Sequence, residues 1–269
     1  MRLVLRDLLY DDPGALALAR SASAHGIYVH NALDRGEGEG FVVAGDGRDE
    51  AMVWIGPRGN LVVITAAAPP PRVAVRIVDE VFLRKRPWRI ALGPAAIVDA
   101  MRDRLVVTPI AFRDQVYYLG KSAMAERLAP LGEVRAAQRA DRDRLVQATL
   151  LLNQSDLNVD PARVDRRWLR DTIDERIQNG TTRVLGPVGG PWCKLDYGSD
   201  GPGGLVIEGV FTFAEERGKG HAAALVAACL GSAPGVVSLH VGKHNRPARA
   251  AYERAGMHEA GACRLLLLP

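Results

Sequence analysis

The densest chemistry in the chain lies in one loop, Arg217-Gly-Lys-Gly-His-Ala222. An apolar, strand-like run at 205–213 leads into it, and an alanine-rich helical stretch from 218 to 230 follows. Two glycines let the backbone turn tightly and approach a ligand with no Cβ in the way. The first N–H groups of the following helix have no intrahelical partner, and the helix dipole adds about half a positive charge there. Arg217 and Lys219 add full charges. Such a convergence of donors and cations is an anion cradle, with a pyrophosphate as the expected guest.

Three sequence patterns use a cradle of this kind. The P-loop requires four residues between its first glycine and a Gly-Lys-Ser/Thr, which this chain lacks. The dinucleotide fingerprint is met formally by Gly218, Gly220 and Ala223, but Ala214-Glu-Glu-Arg separates the strand from the glycines. The next strand, Val236-Val-Ser-Leu-His-Val241, also ends without the carboxylate that would hold a ribose. The third pattern, Arg/Gln-x-x-Gly-x-Gly/Ala at a helix start, fits. The stretch Gly-Val-Phe-Thr-Phe-Ala-Glu-Glu-Arg-Gly-Lys-Gly (209–220) resembles the acetyl-CoA strand and loop of the GNAT superfamily of N-acetyltransferases, with Ala214 where proline is usual. Further on, Asn245-Arg-Pro-Ala-Arg-Ala-Ala-Tyr-Glu-Arg-Ala-Gly-Met257 is similar to that family's later helix, with Met257 replacing an aromatic residue. Asn245 and Tyr252 are seven apart, which returns them to one helical stripe about 10 Å apart, with the small Ala248 between them.

The resemblance covers about residues 134–269 and carries expectations with it. CoA would lie along the strand at Val210, Phe211 and Thr212, its pantetheine arm hydrogen-bonded to the backbone of Val210 and Thr212. Its pyrophosphate would sit on the amides of Gly218, Lys219, Gly220, His221 and Ala222, beside Arg217. Tyr252 matches the family's general acid, and a phenol with a pKa near 10 is protonated at neutral pH, as a donor to a departing thiolate must be. Glu208 stands where some members place a base acting on the amine; its other reading is a carboxylate paired with an arginine. Asn245 has two readings as well, beside CoA as in the family or as the N-cap before Pro247. Arg246 and Arg249 reach either the 3′-phosphate of CoA or solvent. Asp156 and Asp160 either grip an acceptor amine or, for Asp160, cap a helix. His240 and His244 have a four-residue spacing but span a strand end and a loop, so no metal site is expected.

These residues need elements to position them. The second half reads as helix, three-strand meander (182–185, 192–197, 205–213), helix, strand (236–241), helix (247–255) and a last strand at 264–268, with a polar loop at 153–160 and a helix from Asp160-Pro161 to Asn179-Gly180. The first half repeats that order, with a helix at 13–24, strands at 40–44, 51–55 and 61–65, a helix at 73–85, a strand at 88–92, a helix at 94–105 and a strand at 115–119. No residue-level repeat accompanies it. After Val62-Val-Ile-Thr65 come Ala66-Ala-Ala-Pro-Pro-Pro-Arg, whose prolines remove the N–H donors a phosphate needs. The expected architecture is therefore α/β (α+β): tandem GNAT-like folds with mixed, mainly antiparallel sheets flanked by helices. Residues 1–125 form a degenerate domain without a CoA loop, 121–132 a mixed linker, and 134–269 the catalytic domain.

Composition agrees with a soluble globular protein. The 269 residues are 48% hydrophobic and 25% charged, which excludes a disordered or collagen-like chain. A formal charge of +4 is too thin to argue for a nucleic-acid partner. No stretch approaches the ~20 apolar residues of a membrane span, and the N-terminus breaks its apolar run with charge too early for a signal peptide. Cys193, Cys229 and Cys263 lie far apart, which fits core residues in a reducing, cytoplasmic compartment. The expected activity is transfer of an acetyl group from acetyl-CoA to a primary amine on a small molecule or protein, by direct attack in a ternary complex. No metal is expected, and a homodimer is left open. The rival readings are a non-catalytic acyl-CoA-binding module and a nicotinamide-dependent oxidoreductase.

Overall fold

A computed structural model describes residues 3–21, 24–126, 128 and 131–269. By its contacts the chain divides into two units. The first comprises Met1–Tyr117, Gly201–Gly203 and Ala260–Pro269, the second Tyr118–Asp200 and Gly204–Glu259. Residues 127, 129 and 130 of the expected linker, like 1, 2, 22 and 23, lie outside the described residues.

The first unit runs β1 (Leu3–Asp7), α1 (Pro13–Ser21), α2 (Ala24–Asp34), β2 (Glu39–Gly45), β3 (Arg48–Ile55), β4 (Asn60–Thr65), α3 (Pro71–Arg84), β5 (Ile90–Gly93), α4 (Ala95–Asp103) and β6 (Ala111–Lys121), whose last residues belong to the second unit. The β1–β4 pairings are antiparallel, and β4 and β5 are parallel. Strict alternation sorts the sheet's two faces. Phe41, Val43, Val53 and Val63 pack with Val73, Ile77, Ile97 and Met101 of α3 and α4. Val42, Met52, Trp54 and Ile64 pack with Ala15, Leu18, Val29 and Leu33 of α1 and α2.

The second unit follows with β7 (Val134–Ala136), α5 (Arg142–Leu157), α6 (Arg166–Gln178), β8 (Thr182–Leu185), β9 (Cys193–Gly201), β10 (Gly204–Thr212), α7 (His221–Ser232), β11 (Val236–Gly242) and α8 (Arg246–Arg254). Its strands lie in the order β11-β10-β9-β8-β7, with β10 and β11 parallel and β7–β8–β9 antiparallel. Leu145, Leu150, Leu169 and Ile173 of α5 and α6 bury their apolar stripes with Val184.

Element order repeats between the halves, as the sequence implied, and each repeat also carries a leading strand and a second helix. The first-half pair of that kind, β1 and α2, was missed. β1 is short and broken by charge, and α2 carries Gly26, Tyr28, Val29 and Asn31, all modest or poor helix formers held by burial rather than propensity. Three further expectations need correction. Residues 153–157 belong to α5 rather than to a loop, and the chain leaves that helix at Asn158, whose φ is +58°. Asp160 caps a single 3-10 turn, and α6 begins only at Arg166, capped by Asp165. The last strand, β12 (His258–Leu267), pairs antiparallel with β5, Arg264 opposite Gly93, so residues 260–269 add a strand to the first unit.

Candidate active site

The site is built where β10 leaves β11. The two strands pair at Leu205–Val237 and Val206–Ser238 and then part. Three residues past the last pair stands Gly209, whose φ of +60° bulges the strand and interrupts the alternation that would put Glu208 and Val210 on one face. Val210 and Thr212 are half-buried, while Phe211 turns inward onto Phe213 with ring centroids 5.1 Å apart. In the first unit β4 and β5 stay close at the corresponding place. A Cβ on Gly93 would come within 2.8 Å of the Val63 side chain.

Beyond β10, a 3-10 turn (Ala214–Glu216) leads through Arg217 to α7. Gly218 and Gly220 both take left-handed φ, +77° and +85°. A Cβ on Gly218 would meet nothing within 4 Å, so the loop is open on that side. Gly220 is the N-cap of α7 and supplies no side-chain cap, which leaves the first-turn amides of His221 and Ala222 for a ligand. The two cations behave differently from a simple cradle. Arg217 folds back, its Nε donating to the Thr212 carbonyl at 3.2 Å. Lys219 donates to Glu216 at 2.8 Å, and this bond holds the Glu216 carboxyl below the usual carboxylate range. His221 also does more than lend an amide. Its ring stacks on Trp192 (5.0 Å between centroids) and its Nε2 lies 3.1 Å from Glu216. Sequence reasoning missed Arg254, whose guanidinium comes within 3.6 Å of the point a Gly220 Cβ would occupy. The signal was its place two residues past Tyr252, toward the loop end of the helix.

Tyr252 is 5% exposed, and its ring meets Tyr118 edge-on at 5.7 Å. Burial pushes its phenol well above the ordinary value, and the negative charge of Asp156 adds to the shift. Tyr118 is anchored in turn, donating to Glu253 at 2.7 Å and accepting from Arg249 at 3.2 Å. Arg249 also pairs with Glu259, so it is committed within the protein. Asn245 caps α8, its side-chain oxygen accepting from the Ala248 amide at 3.3 Å. Asp156 lies on the last turn of α5, where its charge reaches both Tyr252 and His240. Burial lowers the His240 pKa, and Asp156 partly opposes that. Asp160 accepts from the Ala162 amide at 2.9 Å, the capping role. Burial drives the Cys193 thiol up to about 11, which leaves it a poor nucleophile.

Glu208 accepts from Arg176 at 2.9 Å, the arginine-paired arrangement, and its side chain stays 39% exposed. Arg176 also bonds Asp196 at 2.5 Å, and Asp196 bonds the buried Lys194 at 2.5 Å. Sequence reasoning gave these three residues no role.

The second unit thus brings together a parallel strand edge, a glycine loop at a helix start and a buried phenol on the next helix. Residues 157–257 match the model of the acetyltransferase (GNAT) family. No curated protein sequence matches the chain significantly. Solved structures share the fold over its whole length. A Drosophila protein aligns at TM-score 0.68 and 13% identity, covering 99% of each chain. A GCN5-related N-acetyltransferase from Sphaerobacter thermophilus aligns at 0.59 and 17%, covering 98% of this chain and 94% of its own. A GNAT-family acetyltransferase from Colwellia psychrerythraea aligns at 0.53 and 12%, covering 99% and 100%. These likenesses show a GNAT-like α/β fold along the chain. Among the described residues no helix is long and apolar enough to cross a membrane.

Proposed function

We propose that the protein moves an acetyl group from acetyl-CoA to a primary amine, on a small molecule or a protein, by direct attack within a ternary complex. The observation that carries this reading is the parting of β10 from β11 directly before the Gly218–Gly220 loop and within the unit that buries Tyr252. The edge at Val210 and Thr212 receives the pantetheine arm as an added strand would. The amides of Gly218 to Ala222 receive the pyrophosphate, with Lys219 and Arg254 supplying charge. Asn245 sets the start of α8 through its capping bond and so the register of Tyr252.

Transfer needs a neutral amine, a stabilised oxyanion and a protonated leaving thiolate. Glu208, held at one oxygen by Arg176 and open to solvent at its edge, takes the amine's proton, directly or through a water. The amine lone pair attacks the thioester carbonyl. As the tetrahedral adduct collapses and the carbon–sulfur bond breaks, Tyr252 donates its proton to the thiolate and its phenolate recovers one from the acylated nitrogen, leaving a neutral amide; a buried phenol stays protonated until such an anion is delivered. Asp156, whose charge reaches Tyr252, offers the incoming ammonium a second carboxylate. In this reading the first unit, where Pro69-Pro-Pro71 stands at the entry to α3, contributes no CoA loop.

Thermal shift with a ligand panel tests the reading. Acetyl-CoA raises the melting temperature and NAD does not. A shift with NAD alone contradicts it. Acetyl-CoA binding with no thioester turnover across a broad amine panel leaves a binding module instead.

A further inference from the structure

The bulge at Gly209 rests on charge. Lys194 and Asp196 alternate on one face of β9, each 2% exposed, and their ammonium and carboxylate meet at 2.5 Å. Asp196 faces Thr182 across the β8–β9 ladder and accepts its hydroxyl proton at 2.7 Å. Its other oxygen is shared by Lys194 and by Nη1 of Arg176, whose Nη2 reaches Glu208. The chain Lys194–Asp196–Arg176–Glu208 therefore alternates in sign and sums to zero.

Buried ions are costly unless each is matched by a counter-charge and hydrogen bonds, so such a chain calls for a reason in the fold. Its place supplies one. A Cβ on Gly209 would stand 2.8 Å from both the Lys194 ammonium and the Asp196 carboxylate. The ion pair is packed into the slot left by the missing side chain, against a residue of β10 whose φ is +60°. Glu208, the outer end of the chain, is pinned from the opposite side, since a Cβ on Gly198 would lie 2.6 Å from its Oε2.

We infer that the buried Lys194–Asp196–Arg176 chain is a positioning device: its inner pair seats the Gly209 bulge, which holds the 207–212 edge away from β11, and its outer arginine aims Glu208. This rests on reading that edge as the CoA strand, but the seating itself is measurable without CoA.

The test compares wild type with Lys194→Met/Asp196→Leu, which removes both buried ions together, and with Gly209→Ala, which fills the slot. Replacing a buried ion pair by apolar side chains of similar volume is often tolerated, so the double variant folds where either single one does not. Hydrogen exchange is followed at 207–213, with 41–55 in the first unit as internal control. In the folded variants, exchange at 207–213 accelerates about tenfold or more while 41–55 is unchanged. Acetyl-CoA titrated well below each melting temperature binds about tenfold more weakly. Arg176→Met lowers turnover about tenfold or more with acetyl-CoA affinity kept within about twofold, whereas Arg176→Lys, which keeps the charge, restores turnover to within a few-fold of wild type. Unchanged exchange at 207–213 in a folded double variant overturns the inference. Wild type that ignores acetyl-CoA overturns the functional reading instead, and the exchange result still decides the seating.

Discussion

Tyr252 and Gly220 separate chemistry from binding. A proton needed only as the thiolate departs contributes to the transition state and not to the ground state. Tyr252→Phe therefore lowers turnover by about a hundredfold or more and leaves the acetyl-CoA dissociation constant within about twofold, measured by steady-state kinetics beside calorimetry. Equal turnover in the variant removes Tyr252 from the mechanism. Gly220→Glu puts a side chain and a negative charge at the mouth of the cradle, on a residue whose φ of +85° suits glycine. Acetyl-CoA binding by that variant falls by about a hundredfold or more. Arg254→Ala, removing a guanidinium close to the same loop, weakens acetyl-CoA by about fivefold and flattens the salt dependence of binding. Gly218, Gly220 and Tyr252 were legible because glycine spacing and helical register are properties of the chain alone. Pairing of Glu208 with an arginine was one of its two readings, but the partner, Arg176, was not legible, because it lies on a helix 32 positions away. The fates of Arg217 and Lys219 were hidden likewise, since a cation's partner depends on loop geometry.

At the level of elements, the strand edge at 207–212 depends on what lies beneath and beside it. Sequence alternation predicted a strand at 205–213 but not its interruption, since a glycine within an apolar run has no single meaning until its φ is known. Lys194 was invisible for a similar reason. A lysine in a strand is read as solvated, and only Asp196 and Arg176 together make its burial tolerable. The start of α5 is held by another buried carboxylate. Asp141 accepts from Arg135 at 2.7 and 2.9 Å and from the amides of Gln138 and Gly189, both at 2.7 Å. Burial alone would raise its pKa, but Arg135 and these amides bring it below the ordinary value. A carboxyl lowered on folding stabilises above its unfolded pKa, and that contribution is lost as pH falls through the folded value. Asp141→Ala therefore costs about 3 kcal/mol in denaturant unfolding at pH 7, and the gap from wild type narrows at pH 3 and below.

Across the whole molecule, the two halves share an element order without sharing residues, and the difference between them is chemical. The first repeat has Pro69-Pro-Pro71 at the entry to α3 and Gly93 packed against Val63, where the second has amides at a helix start and a widened strand pair. Calorimetry should therefore find one acetyl-CoA per chain, and two would mean that the first repeat binds as well. The most direct measurement is a crystal soaked with acetyl-CoA. The diphosphate should lie on the amides of Gly218 to Ala222, the pantetheine should follow Val210 and Thr212, and the sulfur should end near the Tyr252 hydroxyl. Coenzyme bound elsewhere, or a loop left empty at saturating concentration, would contradict the account.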